Sequence, residues 1–410
     1  VHAELAGAVA ERAQAMWGRK SLVFVHCSMD ARTVIDYLAA LRAGHTVAMV
    51  DAELAPELMS DLAERYRPAL ILGPEGAHER KSDVDPHEDL SLLLSTSGTT
   101  GSPKLVRLAG SAVEANAVSI ALYLELGPEE RAIASLPFHY SYGLSVLNSH
   151  LLAGGSVVLP RESMVQAGFW GAFERHGCTS FAGVPYSYEM LRRTGWERLT
   201  LSRLRTMTQA GGRLSPERAL ELHNELDFRG ARFVPMYGQT EATARIAWVP
   251  PSWLEDKLGS IGVPIPGGQL EADDGELVYR GANVMMGYAT ERAHLALGDE
   301  LGGVLRTGDL GHRDDDGFFW VTGRSNRFTK VYGLRINLEE VESALPVPSA
   351  AVGSDDRAIT VFAVGGDSNQ LRIALAERFR LRASSFDVRP VDRLPTTASG
   401  KVDYSALSDA

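Results

Sequence analysis

The chain has 410 residues, 45% hydrophobic and 23% charged, which is too long for one simple core and too apolar for a disordered polymer, so two or three globular domains are expected. A formal net charge of -11 argues against a nucleic-acid-binding surface. With only Cys27 and Cys178 there is no disulfide framework or thiolate metal site and a reducing cytoplasm fits, while no apolar run approaches the ~18 residues of a membrane span.

Residues 4–16 are expected to be helical, 21–26 a strand, 31–43 a helix, 46–51 a strand, 55–66 a helix and 69–73 a strand, the alternation of parallel α/β layers. Three leucines at 92–94 then open into STSGTTGSPK at 95–104. A Gly/Ser/Thr loop after a short strand offers unobstructed backbone N–H groups, hydroxyls and an ammonium, which suit oxyanions such as phosphates. It is not the P-loop of kinases, because Gly101 is followed by Ser102-Pro103-Lys104. On its own it also reads as a polar surface turn. Apolar runs at 131–136, 155–159, 179–184 and 231–236 belong with the same doubly wound sheets. From about 258 to 322, Gly/Pro punctuation between short strands such as Leu277-Val278-Tyr279 marks a β-rich subdomain. Residues 327–410 hold a strand at 358–364, a helix at 371–379 and a final Gly-Lys loop, enough for a small α+β domain.

Four further motifs follow the phosphate-suited loop: YGQTEAT (237–243), RTGDLGHRDDDGFF (306–319), GRSNRFTKVYGLRINLEEVE (323–342) and LPTTASGKVD (394–403). The five together, in this order, resemble the adenylate-forming superfamily of acyl-CoA synthetases, nonribosomal adenylation domains and luciferases. The resemblance implies a large N-terminal domain over 1–325 and a small mobile domain over 326–410 that carries a catalytic lysine. It also implies the reaction. A carboxylate attacks the α-phosphorus of ATP and expels pyrophosphate, so the site must screen clustered negative charge while aligning two anions.

By resemblance, Thr96, Ser97, Thr99, Thr100 and Lys104 hold the departing phosphates, with Gly98 and Gly101 allowing close approach. Thr240 matches a phosphate contact and Glu241 a Mg²⁺ ligand, in a turn that begins at Gly238. Ala210, Gly211 and Gly212 lie where the family wraps backbone around adenine; Tyr237 either stacks on that ring or is an ordinary core aromatic. Asp309 matches the carboxylate that accepts the ribose hydroxyls, and Arg324 approaches ribose or phosphate. Lys401 matches the lysine that bridges the acid and the α-phosphate. Asn326 stands at the hinge, where Asp or Lys is more usual, and Gly333 matches a glycine beside the pantetheine channel, or is a turn glycine.

Amino-acid-specific members place an Asp early in the acid pocket, whereas this chain reads LPFHYSYGLS at 136–145, closer to acyl- and aryl-CoA synthetases. His139 and Tyr142 are then expected to gate or line the pocket, together with Val184, Gly211, Gln239 and Ala244; His139 also reads as a structural histidine. Arg245 either faces a polar group on the acid or is exposed. The implied acceptor is a pantetheine thiol, on CoA or on an acyl or peptidyl carrier protein. Alternatives are an amino acid substrate, a non-thiol acceptor, a silent nucleotide-binding module and a phosphotransferase.

Overall fold

The structure, a computed structural model, describes residues 2–95, 104–324, 327–331, 334–353, 358–396 and 402–408. The phosphate-loop residues Thr96, Ser97, Gly98, Thr99, Thr100 and Gly101, the hinge residue Asn326, Gly333 and Lys401 lie outside the described residues.

Leu22, Val23, Phe24 and Val25 are buried on both faces, as a near-continuous apolar run requires of a central parallel strand. Leu22–Cys27 indeed pairs in parallel with both Thr46–Asp51 and Leu70–Gly73, and Thr46–Asp51 pairs in parallel with Leu90–Ser95. Gly76–Glu79 on one side, and Leu105–Ala109 followed by Gly287–Ala289 on the other, extend this core antiparallel to seven strands. The helices between them start where the sequence caps them. Asp30 accepts from the Thr33 N–H at 2.8 Å ahead of Ala31–Arg42, and Pro56–Tyr66 opens on a proline and stops at Arg67 in the left-handed region, φ 47°.

A second seven-stranded sheet runs in spatial order Val263–Pro264, Ala247–Trp248, Arg232–Tyr237, Thr206–Gln209, Ser180–Gly183, Arg131–Ile133 and Ser156–Val158. The last five are parallel. Phe169, Phe173, Phe181, Tyr188 and Phe233 fill the core of this part. Two strands of the Gly/Pro-rich stretch, Val263–Pro264 and Gly287–Ala289, thus complete the two large sheets. The rest of it forms a four-stranded sheet ordered Gln269–Asp273, Glu276–Arg280, Val304–Arg313 and Phe319–Arg324.

The chain divides into two compact units: the described residues up to Leu270 with Tyr279–Leu305, and Glu271–Val278 with the described residues from Arg306 on. Within the second, a three-stranded sheet of Ser349–Gly353, Ile359–Val364 and Phe386–Val391 packs with the helix Ser368–Phe379 around Ile359, Val361, Leu371, Leu375 and Phe386. The architecture is mixed α/β, large N-terminal sheets followed by a smaller α+β part, as the sequence leads one to expect.

Candidate active site

Parallel strands deliver their following loops to one edge of a sheet, which is where open α/β sheets bind ligands. In the second sheet four adjacent strands do so. Arg131–Ile133 leads to His139, Tyr140 and Tyr142, Ser180–Gly183 to Val184, Thr206–Gln209 to Ala210, Gly211 and Gly212, and Arg232–Tyr237 to Gly238, Gln239, Thr240 and Glu241. The structure thus brings the expected adenine, acid and metal residues of the large domain to one edge. In the first sheet, Ser95 pairs with Leu105. His139 Nδ1 lies 3.8 Å from Asp51 Oδ1, at the end of Thr46–Asp51, so the edges of the two sheets meet.

Two glycines on this edge are dictated by crowding. Gly211 has φ +83°, and a Cβ there would stand 2.4 Å from the Tyr140 hydroxyl and 3.1 Å from Val184 Cγ1. Backbone and pocket walls are in contact. A Cβ on Gly238 would lie 1.9 Å from the Ala244 carbonyl oxygen, because the chain doubles back sharply over 238–244. Thr240–Ala242 form a single 3-10 turn, and Thr243 and Ala244 follow at φ 61° and 148°, conformations that cost free energy unless neighbours hold them. Asn283 does the holding: its side-chain amide donates to the carbonyls of Ala242 (2.8 Å) and Arg245 (2.9 Å), and its own carbonyl accepts from the Thr243 hydroxyl at 2.6 Å.

Glu241 emerges from that turn. Its backbone carbonyl accepts from Met285 N at 2.9 Å, and its carboxylate Oε1 accepts from the Tyr288 hydroxyl at 2.8 Å. Burial, then the Glu241 charge, pushes the Tyr288 phenol up, so the proton stays on tyrosine. Lys104 Nζ lies 3.8 Å from the centre of the Tyr288 ring. Tyr288 is held in turn by Arg107, which is fully buried and donates to the carbonyls of Met286, Tyr288, Leu297 and Gly298 while pairing with Glu300.

On the acid side, Arg245 is 2% exposed, which removes the exposed alternative. Its guanidinium stacks 4.1 Å from the centre of the Tyr142 ring, and no carboxylate pairs with it among the described residues. Tyr142 is itself buried, its hydroxyl 2.8 Å from Thr208 Oγ1 and its ring edge-to-face with Tyr140. The Thr240 hydroxyl contacts Ser141 Oγ at 3.1 Å. Burial lowers the His139 pKa against the pull of Asp51 and Glu53, favouring the neutral ring near pH 7. Three buried polar atoms, His139 Nδ1, Gln239 Nε2 and Arg245 Nε, have no hydrogen-bond partner among the described residues. Native proteins rarely leave such groups unmet without a ligand or water.

The remaining expected residues belong to the second unit. Asp309, 5% exposed, faces Arg324 across an antiparallel pair, with Arg324 Nε 3.0 Å from Asp309 Oδ1. Beside them, burial raises the Glu339 pKa, against the pull of Arg324 and Arg327. Arg327 donates to Glu342 (2.6 Å) and the Ala351 carbonyl (3.1 Å), and its guanidinium lies 3.7 Å from the centre of the Tyr404 ring. Thr396 bridges Val402, and Asp403 N donates to the Pro395 carbonyl at 2.8 Å.

Residues 73–289, more than half of the chain, match the AMP-binding enzyme family. The chain belongs to that family. As an AMP-binding enzyme it is 32% identical over 364 residues to the indoleacetate–CoA ligase of Aromatoleum aromaticum, a match covering 82% of this chain and 69% of that one. With the feruloyl-CoA synthase of an Amycolatopsis species it shares 31% over 409 residues, covering 93% and 77%. The solved structure of the o-succinylbenzoate coenzyme A synthetase of Bacillus subtilis, in complex with ATP and a magnesium ion, superposes with a TM-score of 0.79 at 25% identity over 98% of this chain and 93% of that one. This AMP-binding enzyme is a ligase of the acyl-CoA synthetase type.

No cluster of three or more His, Cys, Asp or Glu that could hold a metal occurs among the described residues. A single carboxylate, Glu241, fits Mg²⁺ nonetheless, because that ion keeps its waters and binds through one or two carboxylates plus substrate phosphates. No helix among the described residues is long and apolar enough to cross a membrane. Sequence motifs miss Asp51, Tyr140, Asn283 and Tyr288, which sit outside every motif or carry no spacing that marks them; only the fold shows which loops they face.

Proposed function

We propose that this AMP-binding enzyme activates a small carboxylic acid with ATP, releasing pyrophosphate, and passes the acyl group to the thiol of coenzyme A. The observation that carries this reading is the convergence of 139–142, 184, 210–212 and 238–245 on one sheet edge, with three buried polar atoms there awaiting partners. Ala210, Gly211 and Gly212 lend backbone to adenine, and Tyr237 stacks on it. Thr96, Ser97, Gly98, Thr99, Thr100, Gly101 and Lys104 hold the departing phosphates. Asp309 accepts the ribose hydroxyls, and Arg324, its partner, steers the phosphate side. Glu241 and the nucleotide's own phosphates hold Mg²⁺, which supplies charge neutralisation on the departing pyrophosphate. Thr240 donates to the α-phosphate, and Lys401 stabilises the charge building between acid and phosphorus.

The acid lies against Tyr140, Val184, Gly211, Gln239 and Ala244, with neutral His139 at its mouth and Arg245 at its polar end. A second residue set serves thiol transfer: a small domain over 326–410 turns at Asn326, and Gly333 lets the pantetheine arm pass. Names of curated relatives support coenzyme A as the acceptor; a carrier-borne pantetheine is the second reading, favoured by the lack of a clear basic cluster for the CoA 3′-phosphate in the sequence. ATP–pyrophosphate exchange across a panel of carboxylic acids, followed by offering CoA and a phosphopantetheinylated carrier, tests both. Formation of ADP in place of AMP would overturn the reading.

A further inference from the structure

We propose that Tyr288 is a positioning residue for Glu241: its hydroxyl fixes one carboxylate oxygen and so presents the other to the nucleotide-borne cation. This rests on the reading of Glu241 given above. A free glutamate side chain on a turn samples several rotamers, and a single-carboxylate cation site is only as good as the aim of that carboxylate. Here the aim is fixed twice. Met285 N holds the Glu241 backbone carbonyl at 2.9 Å, and the Tyr288 hydroxyl holds Oε1 at 2.8 Å.

Both donors come from one short stretch, and that stretch is itself anchored. Gly287–Ala289 pairs with Leu105–Ala109, placing Tyr288 opposite Val106, and buried Arg107 donates to the carbonyls of Met286 and of Tyr288 itself. Lys104, the first described residue after the phosphate-suited segment, sets its ammonium over the face of the same ring. A cation there draws electron density from the phenol and strengthens its O–H as a donor. Lysine, ring, hydroxyl and carboxylate therefore form one array, tying the end of the phosphate loop to the metal carboxylate.

The test is ATP binding by equilibrium dialysis as a function of Mg²⁺, with EDTA as the metal-free arm, in wild type, Tyr288→Phe, Glu241→Gln and the double variant. Tyr288→Phe keeps the ring under Lys104 and removes only the hydroxyl. We expect it to raise the Mg²⁺ concentration for half-maximal ATP binding by about 10–100-fold, the effect of losing a group that orients a metal ligand, with binding in EDTA unchanged. In the Glu241→Gln background the same substitution should change nothing further. An equal effect in both backgrounds would mark Tyr288 as merely structural and overturn the proposal, as would wild-type Mg²⁺ dependence in Tyr288→Phe. Wild-type binding that ignores Mg²⁺ would instead overturn the role of Glu241, and the proposal with it.

Discussion

Gly211 concentrates several demands on one atom. Its φ of +83° disfavours any side chain, and a methyl group would be driven into the Tyr140 hydroxyl at 2.4 Å. Gly211→Ala is therefore expected to displace Tyr140 from the acid wall and to raise KM for both acid and ATP by at least 10-fold, since its backbone is proposed to serve both ligands. Steady-state kinetics with each substrate varied in turn reads this out; an effect on the acid alone would remove Gly211 from the adenine site. At Asp309 the expected cost is confined to the nucleotide. Asp309→Ala should weaken ATP binding by about 1.5–3 kcal/mol, the range for hydrogen bonds to a charged acceptor, and an unchanged ATP Kd by calorimetry would refute the ribose role. The motif residues stand out in the sequence because the chemistry proposed for them is local, two or three side chains in one turn. Tyr140 and Tyr288 do not, because nothing in an isolated tyrosine says which wall it forms.

At the scale of strands and helices, the parallel core could be read from its continuous apolar runs, as at Leu22–Cys27. Edge strands could not. Gly76–Glu79 reads GAHE without alternation, and the alternation of Phe386–Val391 is interrupted at Pro390, which cannot donate to a ladder. Arg107, inside the apolar strand Leu105–Ala109, breaks that pattern for a reason the structure supplies, the row of carbonyls it satisfies. Arg107→Met should leave those acceptors unmet and cost about 3 kcal/mol or more, seen as a lower urea midpoint; an unchanged midpoint would mean the carbonyls find other donors.

Three histidines, His150 buried and His26 and His139 half-buried, set a pH dependence at this scale. Burial lowers the pKa of His26, His139 and His150 below the ordinary value of 6.5. Between each lowered value and 6.5 the unfolded chain binds more protons than the folded one, so stability must fall as pH drops through that window and level off below it. Glu339 and Glu342, raised by burial above 4.5, act in the opposite sense from 4.5 up to their own raised values. The histidine share is isolated by comparing wild type with His150→Gln: the variant's urea midpoint should fall less between pH 7.5 and 5.5, and identical slopes would show His150 protonating freely in the fold.

For the molecule as a whole, order of motifs carried more than any single motif, which is why the family and the two-step chemistry were legible while the identity of the acid was not. On the proposed reading, acid identity depends on side chains from several loops, among them a buried Arg245 whose sequence neighbours give no sign of its burial. Lys401→Ala should slow adenylation by about 10²–10³-fold, the scale for one preorganised transition-state donor, and spare thioester formation from a synthetic acyl-adenylate. Timing the two half-reactions separately decides it; equal damage to both would point to misfolding.

Arg327 gives that lysine a mechanical setting. It follows the proposed hinge by one position and clasps the ring of Tyr404, three positions beyond Lys401, and Thr396 pairs with Val402 close by in sequence. On the proposed reading, in which the small domain turns about Asn326, this clasp ties the residue that follows the hinge to the helix Tyr404–Ser408, so the two segments hold together. If Lys401 acts as proposed, loosening this clasp with Tyr404→Leu is expected to slow adenylation without changing the affinity for ATP, and equal ATP affinity with an unslowed first half-reaction would refute the link.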